Sequence, residues 1–356
     1  LKKKGKNKMK ILVTGFNALA IGTARSPLNI ATSARILPKV LEELGHEVTQ
    51  KQIIPGEDVS MYDKVFVFVF GPNSLSARYW YGAAYTIIKR PDAIVSIDDW
   101  QTKDSVSGFR TFSNGHWRIW KKVSKAGNPV GKVNWDEAQP YKKEIEDLVD
   151  LFGNKEWPHK LLIPAYDGGN YDELGIKAKE ITNWDPSAYT DTYLKSPDNQ
   201  EDLLNVYAPN DGIKENAWVC ASLVSKQGWL AKESFNWRVK TFGNQREGQT
   251  RLKEHEMFQE YRKVWGVISP PHYHTAKGSG WWRVRYKMAL DAKCIVYAHP
   301  EEAKILGLNC DINKIENSSK EELLNISREH MDSLKNKFWN RERTKEFFKC
   351  LLEEKS

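Results

Sequence analysis

The chain has 356 residues, enough for two domains of ordinary size that each bury a core. Its formal net charge is +8, and it holds 14 Trp, 14 Tyr and 13 Phe, a combination suited to a polyanion that also offers flat faces for stacking. No stretch is apolar over the roughly twenty residues of a membrane span, and residues 1–8 lack the apolar region of a secretory signal, so we expect the fold to begin at Met9.

Strands and helices alternate in the first half of the chain. MKILVTGF predicts a buried strand, residues 17–27 a long loop, and ATSARILPKVLEELGHEV an amphipathic helix that ends at Gly45. YDKVFVFVFGP, ARYWYGAAYTIIK and DAIVSIDDW continue as strand, helix and strand, and KLLIPAYDGG adds a further strand. This alternation predicts a parallel sheet that is covered on both faces.

An acidic pair, Asp98 and Asp99, follows the strand AIVSI. Ligands of parallel sheets gather at the carboxyl ends of the strands, so either aspartate is a candidate general base. Aspartates in this position also cap turns and helices, and that structural role stays an alternative.

Residues 109–132, FRTFSNGHWRIWKKVSKAGNPVGK, form what we call the basic strip. The strip has no acidic residue, and aromatic residues and glycines lie among its cations. This pattern is typical of a surface that follows phosphates and stacks bases, although charge runs are also found on solvated faces. We predict DNA contacts from Arg110, Trp117, Arg118, Trp120, Lys121, Lys122 and Lys125.

The turn-rich residues 183–212 predict a linker, and the second domain opens with the strand ENAWVCASL. Lys226 lies in the loop after that strand, where a phosphate or ribose contact is expected. The tail at 319–354 predicts helix, with an apolar face formed by Leu324, Met331, Leu334 and Phe338. The predicted boundaries are 9–196 for the first domain, 213–335 for the second and 336–356 for a C-terminal helix.

Residues 265–297 predict a nucleotide-binding half-unit of strand, loop, helix and strand. The apolar run VWGVIS ends at two prolines, which cannot continue a ladder. Gly278, Ser279 and Gly280 then precede the helix WWRVRYKMALDA, whose free N–H groups and Arg283 favour a phosphate or diphosphate. An ordinary turn with a solvated basic face is the alternative.

Histidines and cysteines give little sign of a metal site. His272 and His274 have no third partner nearby in the sequence, so we expect them to donate hydrogen bonds or contact a sugar. Binding of a divalent ion, Mg²⁺ or Mn²⁺, mainly through a substrate diphosphate stays an open alternative. No tightly bound cofactor is expected. The unpaired spacing of the four cysteines predicts reduced core residues in a cytosolic protein, namely Cys220, Cys294, Cys310 and Cys350.

Two blocks in order, FGNQRE at 242–247 and RVRYKMALDA at 283–292, resemble the phage DNA β-glucosyltransferases, where an FGN-x-RE turn precedes an RVW-x-x-MA-x-DA helix. The first half is similar in its YD-initiated third strand and its acidic strand end at 98–99. The resemblance covers most of the chain from Met9 onward. It implies an α/β glycosyltransferase B fold, in which two Rossmann-like domains face each other across a cleft and a C-terminal helix packs back toward the first domain.

The resemblance also implies an activity and its residues. The activity is inverting transfer of a sugar from a nucleotide sugar, such as a UDP-sugar, to the hydroxyl of a modified pyrimidine, such as 5-hydroxymethylcytosine, in double-stranded DNA. Arg283 matches the arginine that contacts the donor diphosphate, and Asp98 or Asp99 matches the catalytic base. The implied donor contacts are Gly278, Ser279, Gly280, Arg283, Tyr286, Lys226, Gly243, Asn244, Arg246, His272 and His274.

Two positions depart from the family pattern. Tyr286 stands where the family has a glutamate for the ribose, and Lys226 stands in the loop where the family has an arginine pair. Both departures leave the nucleotide and the sugar open.

Two other functions remain as alternatives. The same fold and donor can serve a small-molecule, lipid or protein acceptor, and a DNA-binding protein can keep the scaffold without catalysis. We expect a monomer without membrane attachment, acting in the cytoplasm of a phage-infected bacterial cell.

Overall fold

The computed structural model describes the following residues: 8–15, 32–51, 53, 56–70, 77–98, 140, 143–144, 147, 156–164, 176–193, 214–221, 235–242, 252, 254–268, 282–298, 303–304 and 306–354. The chain divides into two compact units. The first comprises residues 1–184 and 342–356, and the second comprises residues 185–341. Each unit is built around one parallel sheet.

The first sheet has six strands: β1 (Lys10–Gly15), β2 (Glu47–Gln50), β3 (Lys64–Phe70), β4 (Ile94–Asp98), β5 (Glu156–Pro164) and β6 (Lys177–Trp184). They are ordered β2-β1-β3-β4-β5-β6, and every neighbouring pair is parallel. Consecutive side chains of β3, from Val65 to Phe68, are all at most 1% exposed. Both faces of this central strand are therefore covered, as predicted for a parallel sheet.

Two helices accompany the first four strands: α1 (Thr32–Glu43) and α2 (Ala77–Lys89). Gly45 follows α1 with a φ of 92°, in the left-handed region that glycine adopts at helix ends. Gly82 lets α2 approach the segment after β2, because a Cβ at this position would lie 2.2 Å from the Ile53 carbonyl oxygen. The predicted order of strands and helices in this half is confirmed.

The last helix of the chain packs on the first sheet. This helix, which we number α7 (Arg341–Glu353), places the Phe348 ring edge-on to Trp184 at 4.9 Å and to Phe66 at 6.2 Å between centroids. Lys160 of β5 pairs with Glu354 just beyond α7 and with Glu180 of β6. The expected return of a C-terminal helix to the first domain is confirmed.

The second sheet has four strands: β7 (Glu215–Ala221), β8 (Arg238–Phe242), β9 (Val264–Ile268) and β10 (Ile295–Tyr297). Their order is β10-β9-β7-β8, again with all pairs parallel. The described helices of this unit are α3 (Glu254–Arg262), α4 (Trp282–Asp291), α5 (Ile312–Glu316) and α6 (Lys320–Phe338). A 3₁₀ segment at Pro186–Tyr193 precedes them.

The core of the second unit is organised by Trp218 in the middle of β7. The indole ring lies over the neighbouring strand, because a Cβ at Gly266 of β9 would come within 2.1 Å of ring carbon Cε3. Its nitrogen donates to the buried carboxylate of Glu316, with 2.8 Å between Nε1 and Oε1. Glu316 also accepts from the backbone N–H groups of Asn236 and Trp237, which lead into β8.

A buried lysine joins three other elements at the start of β7. The Lys214 side chain donates to the carbonyl oxygens of Val264 and Ala292, each at 2.8 Å, and to that of Tyr261 at 3.4 Å. Tyr261 and Ala292 stand at the ends of α3 and α4, where helix carbonyls lack intrahelical donors. Lys214 therefore caps two helices at once, a role that its sequence context does not reveal.

The helical tail differs from its predicted form. It consists of two helices separated at Trp339 and Asn340, and Ser319 caps α6 through a reciprocal pair of hydrogen bonds with Glu322. Leu334 is buried as predicted, but Leu324, Met331 and Phe338 are only partly buried. The buried face of α6 instead comprises Leu323, Ile326, Ser327, His330 and Leu334.

The chain crosses between the units after Trp184 and again after Arg341. Within the second unit, Arg341 Nε donates to the Ala188 carbonyl oxygen at 3.2 Å, and the guanidinium lies 4.7 Å from the centroid of the Tyr189 ring. These contacts hold the two crossing segments together within the second unit.

All four cysteines are free, and Cys220 and Cys294 are buried as predicted. Cys310 is partly buried and packs against the core of the second unit, whereas Cys350 is exposed on α7. The expectation of a core position is therefore wrong for Cys350. Among the described residues, no helix combines the length and apolar character needed to cross a bilayer.

Candidate functional site

In each sheet the strand order reverses at one pair of neighbouring strands, and a ligand is expected there. In the first sheet the pair is β1 and β3, with β2 beyond β1 and β4 beyond β3. In the second sheet the pair is β7 and β9, with β8 beyond β7 and β10 beyond β9. Connections that leave such a pair in opposite directions open a crevice at the carboxyl ends of the strands. The candidate site of each unit is therefore its carboxyl edge at this pair.

Gly15 ends β1 at the carboxyl edge of the first sheet. Its φ is 97°, and a Cβ at this position would lie 2.1 Å from the Phe68 carbonyl oxygen of β3. Only glycine combines this backbone angle with so close an approach. The chain thus leaves β1 pressed against β3, and the predicted loop at 17–27 lies outside the described residues.

Asp98 is the last residue of β4, where its backbone pairs with Phe70, the last residue of β3. The strand therefore ends where its sequence predicted, at the carboxyl edge beside β3. The structure describes only the backbone of Asp98, and Asp99 lies outside the described residues. A catalytic role for either aspartate stays a prediction.

Three predicted donor segments follow three adjacent strands of the second sheet. Lys226 comes after β7, which ends at Ala221, and the segment with Gly243, Asn244 and Arg246 comes directly after β8, which ends at Phe242. The segment from His272 to Gly280, with His274, Gly278 and Ser279, comes after β9, which ends at Ile268. These segments lie outside the described residues, but their points of exit share one edge of one sheet.

Arg283 is the second residue of α4, the helix that follows the loop after β9. The N–H groups of a first helical turn have no intrahelical acceptors, and the helix dipole adds positive charge there. The backbone at Arg283 is thus positioned for an anion, while the structure does not describe its side chain. Whether Arg283 binds a diphosphate stays a prediction.

The middle of α4 is more enclosed than its sequence suggested. Tyr286 is fully buried, so a donor contact at this residue would need its side chain to move. Lys287 pairs with Asp291, and its Nζ lies 5.8 Å from the centroid of the Trp339 ring. The amino end of α4 is therefore the part of the helix best placed to meet a ligand.

Arg285 adds a cation to the buried surroundings of β7. Burial lowers the pKa of its guanidinium, while the neighbouring Tyr261 and Cys220 act in the opposite direction. The Cys220 thiol has its pKa raised to about 12 by burial, with a smaller opposing effect of Arg285. Cys220 is thus a protonated core residue and not a nucleophile.

The basic strip at 109–132 lies outside the described residues, and with it Arg110, Trp117, Arg118, Trp120, Lys121, Lys122 and Lys125. The predicted DNA contacts therefore stay predictions. In the part of the chain that the structure describes, no group of three or more His, Cys, Asp or Glu side chains is arranged to hold a metal ion.

Two parallel sheets, a chain that crosses between them twice and a last helix that returns to the first sheet define the α/β architecture of the B-type glycosyltransferases. No protein-family model matches the sequence, and a search of curated proteins found no match.

Among solved structures, the chain is similar to T4 phage BGT, a β-glucosyltransferase, in complex with UDP and Mn²⁺. The TM-score is 0.61 at 12% sequence identity, over 97% of this chain and 100% of that chain. It is also similar to a T4 phage BGT mutant with one aspartate replaced by alanine, in complex with UDP-glucose, with a TM-score of 0.58, 12% identity and the same coverage. The predicted fold class is thereby confirmed.

Proposed function

We propose that this protein is an inverting glycosyltransferase that moves a sugar from a UDP-sugar to the hydroxyl of a modified pyrimidine in double-stranded DNA. The observation that carries the proposal is the full-length likeness to T4 phage BGT, which is found in complex with UDP and with UDP-glucose. The two sequence blocks that resemble this family support it. FGNQRE begins at the last residue of β8, and RVRYKMALDA begins at the second residue of α4.

The donor diphosphate is assigned to the carboxyl edge of the second sheet. Gly278, Ser279 and Gly280 lead into α4, whose first-turn N–H groups and Arg283 provide donors and positive charge. As the sugar C1 separates from UDP, negative charge grows on the diphosphate. Donors that are already aimed at the diphosphate stabilise the transition state more than the ground state.

The general base is assigned to Asp98 or Asp99 at the carboxyl edge of the first sheet. The carboxylate removes the proton of the acceptor hydroxyl as its oxygen attacks C1 and UDP leaves with the bonding electrons. Attack from the side opposite the leaving group inverts the anomeric centre. No covalent intermediate with the protein is required.

The acceptor is assigned to DNA because of the basic strip. Its cations suit the phosphate backbone, and its aromatic residues suit exposed bases. A hydroxymethyl group inside a duplex cannot reach a base held at a sheet edge, so the modified nucleotide is expected to leave the stack, as in other enzymes that act on bases.

The departures from the family pattern bear on the donor and not on the reaction class. Tyr286 is buried, and Lys226 is a single cation in the loop after β7. An experiment is therefore needed to identify the sugar and the nucleotide. A divalent ion would be held mainly by the diphosphate, since Mg²⁺ commonly binds through substrate phosphates, and Mn²⁺ is present in the T4 phage complex.

The test is a mass-spectrometric panel with the full chain, in which several nucleotide sugars are each combined with double-stranded DNA that contains cytosine, 5-hydroxymethylcytosine or 5-hydroxymethyluracil. Parallel reactions contain Mg²⁺, Mn²⁺ or a chelator. We expect a mass increase of one sugar on a hydroxymethylated nucleoside with UDP-glucose or another UDP-sugar, and none on cytosine.

Other outcomes select the alternatives. Donor hydrolysis without any change in the nucleosides indicates another acceptor, such as a small molecule, lipid or protein. DNA binding without turnover of any donor indicates a non-catalytic DNA-binding protein and contradicts the proposal.

A further inference from the structure

The carboxyl half of α4 carries an ion pair that the helix itself does not favour. Lys287 and Asp291, one turn apart, pair through side chains that are 19% and 11% exposed. Asp291 is the last residue of α4, where the helix dipole favours a cation, and the order lysine then acid is the weaker one for such a pair. Helix stability therefore does not explain this pair.

The ammonium group of Lys287 has a second contact outside its own helix. Its Nζ lies 5.8 Å from the centroid of the Trp339 ring, within the range of a cation–π interaction, and Trp339 is 6% exposed. Such an interaction is stronger where water is largely excluded. Asp291 restricts the lysine side chain to this position, so the contact links α4 to the residue that follows α6.

Trp339 lies in the second of the two segments at which the chain crosses between the units. Its backbone N–H donates to the Lys335 carbonyl oxygen at 3.1 Å, and the crossing follows Arg341, two residues later. Arg341 in turn contacts the first crossing segment through the Ala188 carbonyl oxygen and the Tyr189 ring. The two crossing segments are therefore joined next to Trp339.

Helix α4 also meets the first crossing segment directly. It packs against the 3₁₀ segment at Pro186–Tyr193 and against α6. The helix thus contacts the first crossing segment through its packing and the second through Lys287. Energetic coupling is carried by rigid secondary elements, so a shift at the amino end of α4 must be accommodated at these contacts.

We propose that Lys287 is a positioning residue that couples donor binding at the amino end of α4 to the second crossing segment, through its contact with Trp339. The inference rests on the proposed function, because the diphosphate of UDP must bind at the first turn of α4. Lys287 itself touches neither the substrate nor the reacting atoms. Coupling of this kind is reciprocal: if bound UDP stabilises the contact, loss of the contact weakens UDP binding by the same factor.

The test compares Lys287→Met with Lys263→Met in the full chain. Lys287→Met removes the charge and keeps an unbranched side chain. Lys263 is a matched control, because it lies in the same unit and also pairs with a carboxylate, that of Glu260, but its side chain is 53% exposed. The measurements are the affinity for UDP by isothermal titration calorimetry and backbone hydrogen exchange by mass spectrometry, with and without saturating UDP.

In the wild type we expect UDP to slow hydrogen exchange in the peptide that contains Trp339, because its amide bond to the Lys335 carbonyl opens less often when the contact is stabilised. Lys287→Met should bind UDP about five- to tenfold more weakly, within the usual range of coupling between two sites. At saturating UDP this variant should show no slowing at Trp339. Lys263→Met should match the wild type in both measurements.

Two conservative variants keep the inference open to contradiction if Lys287→Met does not fold. Lys287→Arg keeps a cation that can lie on the ring and should keep the UDP affinity and the exchange response of the wild type. Trp339→Phe keeps an aromatic ring that attracts a cation less strongly and should reduce both, in the same direction as Lys287→Met. A phenylalanine variant with the affinity and the exchange response of the wild type overturns the inference.

A double variant tests whether the two residues act through one contact. Lys287→Met combined with Trp339→Phe should bind UDP about as weakly as Lys287→Met alone, because the second change then removes a contact that is already lost. Losses of UDP affinity that simply add in the double variant overturn the inference.

The outcomes separate the inference from the proposed function. If the wild type binds UDP but exchange at Trp339 does not respond, the inference is wrong and the proposed function stands. Faster exchange in Lys287→Met, by the same factor with and without UDP, indicates a merely structural role and also overturns the inference. Absence of binding of UDP and of every other nucleoside diphosphate by the wild type overturns the proposed function and the inference together.

Discussion

Glu316 and Trp218 are joined by a hydrogen bond of 2.8 Å between the carboxylate Oε1 and the indole Nε1. The same carboxylate accepts from the backbone of Asn236 at 2.8 Å and of Trp237 at 2.9 Å, directly before β8. One buried charged residue thus holds the start of β8 against the middle of β7. The proposed donor segments after β7 and β8 depend on this arrangement, because both strands must keep their register to reach the same edge.

The first prediction concerns the stability of the second unit. In Glu316→Gln one carboxylate oxygen becomes an NH₂ group, which then faces a backbone N–H or the indole N–H. We expect a loss of about 1 to 3 kcal/mol in the free energy of unfolding, the cost of leaving a buried group unpaired. Urea denaturation followed by tryptophan fluorescence measures it. Glu329→Gln, on the exposed side of α6, is the control and should change stability little. Equal stability of the two variants would contradict this role of Glu316.

The second prediction concerns the cap formed by Lys214. Lys214→Met removes the charged donor to the carbonyl groups of Tyr261, Val264 and Ala292, which then keep only the weak Cys294 thiol as a side-chain donor. We expect destabilisation of about 1 to 3 kcal/mol, the cost of leaving buried acceptors with fewer donors. Lys263→Met provides the control, since Lys263 forms an exposed pair with Glu260 worth about 0 to 1 kcal/mol. Urea midpoints that move equally in the two variants would show that Lys214 is not a cap.

The third prediction is a pH dependence caused by His330. Burial lowers the pKa of its imidazole to about 4, with a smaller opposing effect of the Asn309 carbonyl. The unfolded chain therefore binds a proton between about pH 6.5 and 4 while the folded chain does not, so stability is complete above pH 6.5 and falls as the pH drops. Burial lowers the pKa of His159 as well, which acts in the same direction.

The measurement for His330 is urea denaturation at pH 7 and pH 5. His330→Gln keeps an N–H that can donate to the Asn309 carbonyl, where the Nε2 to oxygen distance is 3.0 Å, but it does not titrate. We expect this variant to lose less stability than the wild type between the two pH values. An identical loss in both proteins would place the pH dependence elsewhere.

The fourth prediction separates the two candidate bases. One of the two variants Asp98→Ala and Asp99→Ala should lower kcat for sugar transfer by about 100-fold or more, the usual contribution of a general base, and the other should keep most activity. Modified nucleosides are quantified by mass spectrometry over the time course of each reaction. Asp58→Ala, an exposed carboxylate of the same unit, is the control. Activity retained by both Asp98→Ala and Asp99→Ala would remove the proposed base.

The fifth prediction concerns the donor. Arg283→Ala should weaken UDP binding by about 10- to 100-fold, because a hydrogen bond to a charged group contributes about 1.5 to 3 kcal/mol. Arg283→Lys should recover part of the loss, since lysine keeps the charge but not the fork of two donors. Isothermal titration calorimetry with UDP measures both. Arg328→Ala on the exposed side of α6 should bind UDP as the wild type does; unchanged binding in Arg283→Ala would contradict the assignment.

The local patterns of the chain determined much of its architecture. Apolar runs such as KVFVFVF and VWGVI became buried parallel strands, and Gly45, the last residue of EELG, follows the end of α1. Burial on two faces and a left-handed backbone angle impose strong local requirements on sequence. The same local signals predicted that β4 ends at Asp98 and that α4 begins next to Arg283. The tail shows the limit of such signals, because α6 buries Leu323, Ile326 and His330 where Leu324, Met331 and Phe338 were predicted.

Only the tertiary structure decided which strands are neighbours and which polar groups are buried. The order β10-β9-β7-β8 brings the exits of three distant segments to one edge, and that order depends on long-range pairing that no window of sequence contains. The same holds for the charges of Lys214 and Glu316, whose burial is tolerated because backbone groups far apart in the chain converge on them. Sequence thus determined the elements and the residue types at their ends, while long-range packing decided which of those ends meet.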